Sequence, residues 1–306
     1  MAEIALNLLV TLGIPLTRKE ATAHLKELCR IGLLFGNDQL RLIIETFVLP
    51  LVDEVLIKSK SKDPYTFEAH NEPYRIEIQV LGADFRPLIM TDLFNAIAVV
   101  VVMVELPRAE IPEDLRELQH FCTDLAVHFS AFLNALLSQE EDIIISMSRR
   151  IPTMAGVFWS TAKSIVVGTS LPQNPKSKRN TSMGVRMSAL LEILHEEKLP
   201  PTDSDNCPGA CAEHGPFRVL LDPTKSLYGV VVHIGSCASP KQRRRETRDP
   251  AIFKKACPNC QMVLHLARQP YLNCSNQINQ LEGENDLDSV TARHARIPER
   301  PSPRQY

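Results

Sequence analysis

The stretches Cys-Ala-Glu at 211–213, Tyr-Gly-Val-Val-Val-His-Ile-Gly at 228–235 and Cys-Pro-Asn-Cys at 257–260 decide the fold of the last third of this chain. The β-branched run in the middle predicts a buried strand. Pro258 suits an early helical position, and apolar residues with helical spacing follow Cys260, so the C-x-x-C pair is predicted to open a helix. The predicted order is therefore a loop, a strand and a helix.

The cysteines are concentrated near the C-terminal end. Six of the eight follow residue 200, and an intracellular chain is not expected to carry a disulfide framework. Two thiols three residues apart, with a third at a distance, are typical of a metal site, so Cys211, Cys257 and Cys260 are the candidate ligands. A helix N-terminus lowers thiol pKa values, which suits the C-x-x-C pair to supply thiolates. Glu213 lies where a carboxylate can reach a metal-bound water without binding the metal, as a general acid or base requires.

The same thiols also allow a structural site. Cys207 and Cys211, spaced C-x-x-x-C, would complete a four-cysteine zinc site with Cys257 and Cys260, and His214 is an alternative fourth ligand. Four protein ligands make a closed site that only holds the fold, whereas three ligands and a water make a catalytic one. The sequence leaves both interpretations open, together with a cluster of thiols that binds no metal.

The motif order resembles the zinc-dependent deaminase superfamily, which has the cytidine deaminase-like fold and carries H-x-E or C-x-E followed by P-C-x-x-C. It looks closest to the toxin-related branch, which also occurs in fungi. The resemblance implies that Cys211, Cys257 and Cys260 hold Zn²⁺, that zinc activates a hydroxide, and that Glu213 carries its proton to the leaving amine. The implied reaction is hydrolytic deamination of cytosine or adenine in a nucleotide or single-stranded nucleic acid. An inactive deaminase-like module is an alternative, as is a non-enzymatic interaction protein with a structural four-cysteine zinc.

A compact basic run, 241–248, lies between the predicted strand and the C-x-x-C helix. In the deaminase interpretation this loop flanks the pocket, and Arg243, Arg244 and Arg245 bind substrate phosphates. A solvated loop and a nuclear address are the other interpretations.

The expected fold class is α+β, with a mostly helical N-terminal domain at 1–171 and a small zinc domain of α-β-α layers at 185–280. Residues 172–184 are predicted to be a linker, because they contain prolines, small and basic residues and no large apolar side chain before Met183. A loop within one domain is the alternative, in which strands from before residue 182 complete the sheet. The polar residues 281–306 are expected to form a disordered tail.

Local patterns predict several further elements. Thr17 and Glu20 fit a capping box that opens a helix over 21–31. Period-two alternation over 74–81 predicts a strand with one buried face. Apolar periodicity predicts helices in three further segments: 38–48, 115–137 and 185–194.

Composition and charge favour a globular protein. The chain has 306 residues, of which 44% are hydrophobic and 23% charged, and its net charge of −2 gives no overall attraction to nucleic acid or membrane. The N-terminus shows no basic region of a secretory signal, and the apolar run 93–104 is too short to cross a bilayer. We therefore expect an intracellular protein, cytoplasmic or nuclear, without membrane association. Its N-terminal domain is the candidate site for a protein partner.

Overall fold

The computed structural model describes residues 17–51, 74–79, 85–109, 111–137, 152–162, 164–173, 176–204, 207–234 and 253–274. Two sets of sequence expectations lie outside these residues. They are the substrate contacts of Arg243, Arg244 and Arg245 and the disordered tail 281–306.

The capping box is formed as predicted, and the helix behind it is longer than the predicted span 21–31. Helix α1 spans Arg18–Phe35, and the Thr17 hydroxyl accepts a hydrogen bond from the Glu20 N–H while the Glu20 carboxylate accepts one from the Thr17 N–H. Helix α2 spans Asp38–Ile43 and continues through a π-helical turn at Ile44–Val48. This turn ends two residues before Pro50, whose ring would clash with the preceding turn of a regular α-helix, so the wider turn accommodates it.

Two longer helices form the interior of the N-terminal half. Helix α3, Leu93–Glu105, is apolar almost throughout and buried, and the carboxylate of Asp92 caps its start by accepting N–H bonds from Phe94 and Asn95. Helix α4, Leu115–Leu137, has the predicted bounds. Helix α1 packs against both. Within the described part of the chain, no helix combines the length and the apolar character needed to cross a membrane.

The strands form two sheets. In the smaller, strands β1 and β2 pair antiparallel. In the larger, β3 lies between β4 and β5 and is antiparallel to both, while β6 and β7 share the other edge of β5, β6 antiparallel and β7 parallel. The strands are β1 Tyr74–Gln79, β2 Phe85–Met90, β3 Met154–Ser160, β4 Ile165–Thr169, β5 Leu227–His233, β6 Phe253–Lys254 and β7 Tyr271–Asn273.

The larger sheet takes strands from both sides of the predicted domain boundary. Its strands β3 and β4 come from the segment assigned to the N-terminal domain, yet β3 pairs along the whole of β5. The loop alternative, in which strands from before residue 182 join the sheet, describes this arrangement. The fold is thus α+β with a mainly antiparallel sheet, and one hydrophobic core includes buried residues from both halves.

The predicted linker is largely helical. Helix α5 spans Lys176–Leu194, so it begins well before the predicted start at residue 185. Its early turns bury the polar side chains of Ser182 and Arg186 rather than apolar ones. Apolar periodicity therefore gave no signal for the first part of this helix.

Two short helices begin at the cysteine motifs: α6, His214–Leu220, follows the Cys-Ala-Glu segment, and α7, Pro258–Leu266, begins within the C-x-x-C motif. Helix α6 packs on β2, β3 and β4, and Phe217 meets Phe158 of β3 edge to face at 5.7 Å. Helix α4 packs on β3 and β5. Trp159 points to the face opposite Phe158, because strand side chains alternate, and it stacks on Tyr228 of β5. The sheet thus buries aromatic rings on both faces.

Candidate metal centre

Three thiols meet at the N-terminal ends of α6 and α7. The sulfurs of Cys211, Cys257 and Cys260 all lie within 4.8 Å of one another. The Sγ–Sγ distance is 3.3 Å between Cys211 and Cys257 and 3.5 Å between Cys257 and Cys260. Both are far longer than the ~2.05 Å of a disulfide. They approach the ~3.8 Å between two sulfurs that each lie ~2.3 Å from one tetrahedral ion. The three cysteines could therefore hold a metal ion.

Helix α7 supplies two of the thiols in the predicted way. Cys257 is the residue that precedes the helix, Pro258 is the first helical residue, and Cys260 lies in the first turn. The Gln261 N–H donates to the Cys257 carbonyl at 2.9 Å and closes that turn. Pro258 removes no hydrogen bond from the helix, since the first N–H groups of a helix have no partner within it. Both sulfurs lie at the positive end of the helix dipole.

The third thiol lies on a separate segment that is held against the end of β4. The Leu171 N–H donates to the Ala210 carbonyl at 2.9 Å, next to Cys211. At Gly168 a side chain would collide with the Ala212 carbonyl and the Pro216 ring. Glycine at this position of β4 thus lets the Cys-Ala-Glu segment approach the sheet closely.

Glu213 lies directly before helix α6 and its side chain is buried. Pro216 occupies the third helical position, where a missing N–H leaves no helical hydrogen bond unmade. Glu213 is 5% exposed. Burial raises the pKa of Glu213 to about 7, and the negative charge of Cys257 adds to the rise, while the Cys260 thiol lowers this pKa by donating to the carboxylate. The carboxyl group is therefore next to the thiol cluster, as the motif predicted.

His214 contacts the cluster as a hydrogen-bond donor. Its Nδ1 accepts the Gly209 N–H at 2.9 Å, and burial lowers its pKa to about 4, so the ring is neutral at pH 7. A neutral imidazole whose Nδ1 accepts a hydrogen bond carries its proton on Nε2. That Nε2 lies 3.7 Å from the sulfur of Cys260. The ring thus presents its N–H to the Cys260 sulfur and no lone pair to a metal, which contradicts its interpretation as a substitute ligand.

The cluster without a metal favours a single negative charge. Hydrogen bonding with Cys211 and Cys260 lowers the pKa of Cys257 to about 2. Burial raises the pKa of Cys260, so its thiol keeps its proton. A bound cation would offset this burial cost and allow further thiols to ionise.

Cys207 does not complete a four-cysteine site in the described residues. It is exposed, and it is not among the thiols whose sulfurs lie within 4.8 Å of one another. The closed site that the sequence allowed is therefore not the arrangement adopted.

We expect a Cys207→Ser variant to keep the metal stoichiometry of the unaltered protein, because this side chain lies outside the cluster. Metal content after loading with Zn²⁺, and the thiolate-to-metal absorption after loading with Co²⁺, measure the outcome. Loss of metal from this variant would restore the four-cysteine interpretation.

Sequence reasoning missed the role of His214 at the cluster and missed Arg186 altogether. The donor role of His214 depends on a hydrogen bond from the Gly209 N–H, which no sequence motif predicts. Arg186 of α5 is buried and donates to the Cys211 carbonyl at 3.3 Å, although an arginine on a polar helix is normally expected at the surface. No sequence signal identifies its partners, because they lie on distant segments.

Comparison with known proteins adds nothing to this geometry. No protein-family model, no curated protein and no solved structure matches the chain. The site is therefore interpreted from its own residues.

Proposed function

We propose that this chain is a zinc-dependent deaminase that hydrolytically removes the amino group of cytosine or adenine in a nucleotide or single-stranded nucleic acid. The observation that carries the proposal is the convergence of Cys211, Cys257 and Cys260 beside a buried carboxylate, Glu213. Thiolates are soft ligands that zinc accepts readily, and three protein ligands are the number that a catalytic zinc uses.

The order of elements supports the same proposal. The antiparallel pair β3 and β4 precedes the Cys-Ala-Glu segment, β5 follows it, and the C-x-x-C helix α7 then leads to β7, which is parallel to β5. Together with β6 these strands make one sheet of five paired strands. Strands β3 and β4 come from before residue 182, as the loop alternative expected.

The proposed chemistry assigns the proton transfers to Glu213. Zinc, when bound, polarises a water molecule and makes it nucleophilic at neutral pH. The Glu213 carboxylate accepts a proton from the attacking water and donates it to the departing amine. A carbon–oxygen bond forms, the carbon–nitrogen bond breaks, and ammonia leaves. His214 holds the Cys260 sulfur by donating to it, while Pro216 and Gly168 hold the carboxylate-bearing segment against the sheet.

Removal of the metal tests the proposal. The zinc-loaded chain is expected to release ammonia from at least one of cytidine, adenosine, single-stranded DNA and RNA. Stripping zinc with a chelator should abolish the release, and adding Zn²⁺ back should restore it. Ammonia release by the stripped protein, or none by fully loaded protein on every substrate, contradicts the proposal.

A second candidate is a non-enzymatic interaction protein in which zinc only holds the fold. Exposed apolar side chains on α1 and α2 favour a protein partner for the N-terminal half, and they are Leu34, Phe35 and Leu42. In this case the zinc-loaded protein releases no ammonia, and chelation lowers the melting temperature. The same metal-removal experiment therefore separates the two candidates.

A further inference from the structure

We propose that Arg186 is a positioning residue of the metal centre, which fixes the segment that bears Cys211 and makes residues of the N-terminal half part of the support of the site. The inference rests on the metal site of the proposed function and not on the deamination reaction. It follows from the contacts of one guanidinium group.

The Arg186 side chain is 2% exposed and binds four groups from three separate parts of the chain. Its Nε donates to the Thr91 hydroxyl at 3.2 Å, and its Nη2 donates to the Asp92 carboxylate at 3.1 Å. Its Nη1 donates to the Thr169 carbonyl at 3.1 Å and to the Cys211 carbonyl at 3.3 Å. The planar fork of donors holds all four groups in one geometry.

Asp92 makes this arrangement rigid. Its carboxylate is fully buried and also accepts the N–H groups of Phe94 and Asn95 at the start of α3. A buried charge that loses its partner is strongly unfavourable, so neither side chain of the pair can turn away without cost. The guanidinium is therefore anchored to a helix end at one side and to the Cys211 carbonyl at the other.

The metal centre needs this anchor because its thiols come from two segments. Cys257 and Cys260 are placed by the first turn of α7. Cys211 precedes α6, and its distance from the other two depends on how its backbone is held. Groups that orient metal ligands through hydrogen bonds, without binding the metal themselves, typically contribute ~10–100-fold to metal affinity. The Arg186 contact with the Cys211 backbone is such a group.

The same contacts join the two predicted domains at the site. Thr91 and Asp92 lie 95 and 94 residues before Arg186 in the sequence. They nevertheless supply two of the four groups that hold it. The N-terminal half thus takes part in placing the third thiol.

An Arg186→Lys variant tests the inference in the full-length chain. Lysine keeps the positive charge, but a single ammonium group cannot bind all four partners at once. We expect Zn²⁺ affinity, measured by competition with a chromophoric chelator, to fall by ~10–100-fold. The charge-transfer and d–d absorption of the Co²⁺-loaded variant should change as well, because the Cys211 thiolate is displaced from its position.

Arg218→Lys is the matched control. Arg218 is also a buried arginine bound to α5, where it donates to the Ala189 carbonyl at 3.2 Å and pairs with Glu192 at 3.5 Å. We expect this variant to keep the Zn²⁺ affinity and the Co²⁺ spectrum of the unaltered chain. Equal losses in both variants would show a general loosening of α5 and overturn the inference.

Unchanged Zn²⁺ affinity and Co²⁺ spectrum in Arg186→Lys would also overturn it, as would an unaltered chain that binds no zinc. Should Arg186→Lys fail to fold, Thr91→Val removes one acceptor without leaving a charge unpaired. This variant is expected to bind Zn²⁺ several-fold more weakly, and full affinity would overturn the inference. Zn²⁺ affinity is measured without any substrate. An unaltered chain that binds zinc but deaminates no substrate would therefore refute the deaminase proposal and leave the inference about Arg186 standing.

Discussion

Glu213→Gln is expected to lower the rate of ammonia release by about 10²–10⁴-fold while leaving one zinc per chain. Glutamine has nearly the same shape as glutamate, so the buried packing before α6 is kept. It cannot accept a proton from water or donate one to the departing amine. The loss should therefore appear in the chemical step, and zinc affinity should stay close to that of the unaltered chain.

Parallel assays of ammonia release and zinc content on Glu213→Gln and Glu192→Gln measure this effect. Glu192→Gln makes the same substitution at a side chain that is 63% exposed, and this control variant should retain activity. An active Glu213→Gln protein would remove Glu213 from the mechanism. A variant that instead loses its zinc would place the carboxylate among the groups that hold the metal.

Cys260→Ser is expected to lose zinc and, with it, activity and thermal stability. A serine hydroxyl keeps its proton at neutral pH and replaces a soft sulfur ligand with a weak oxygen one. The position is fully buried and faces Nε2 of His214, which carries a proton, so this ring does not replace the missing third ligand. The stability that zinc adds in the folded state is lost together with the metal.

Zinc stoichiometry and melting temperature, each with and without chelator, report the result. Cys29→Ser is the matched control, because this thiol is 1% exposed and lies in α1 outside the cluster. The control should be destabilised by its buried hydroxyl but keep zinc, and its melting temperature should still fall when the chelator is added. Retention of stoichiometric zinc by Cys260→Ser would exclude this residue from the ligands.

Local signals predicted much of the fold. The capping box at Thr17 and Glu20 gave the start of α1, and continuous apolar periodicity gave both ends of α4. The valine-rich run gave β5, and the C-x-x-C motif gave the start of α7. Each of these features is determined by residues within a few positions of one another.

The rest depended on contacts between distant residues. The pairing of β3 with β5 joins Val157 to Val230, and neither strand's sequence specifies its neighbour. The polar start of α5 resembled a linker because its buried side chain, Ser182, is polar and adds no apolar periodicity. The three thiols were identified from spacing alone, but the exclusion of Cys207 and the donor role of His214 required the fold.

The central position of β3 has a consequence for synthesis on the ribosome. Strand β3 ends at Ser160, and its partner β5 is complete only at His233. At roughly 5–20 residues per second, the intervening chain takes about 4–15 s to emerge. During that interval the paired strands β3 and β4 expose an apolar edge that can pair with another nascent chain. Efficient production of this protein should therefore depend on chaperones that shield the edge until β5 arrives.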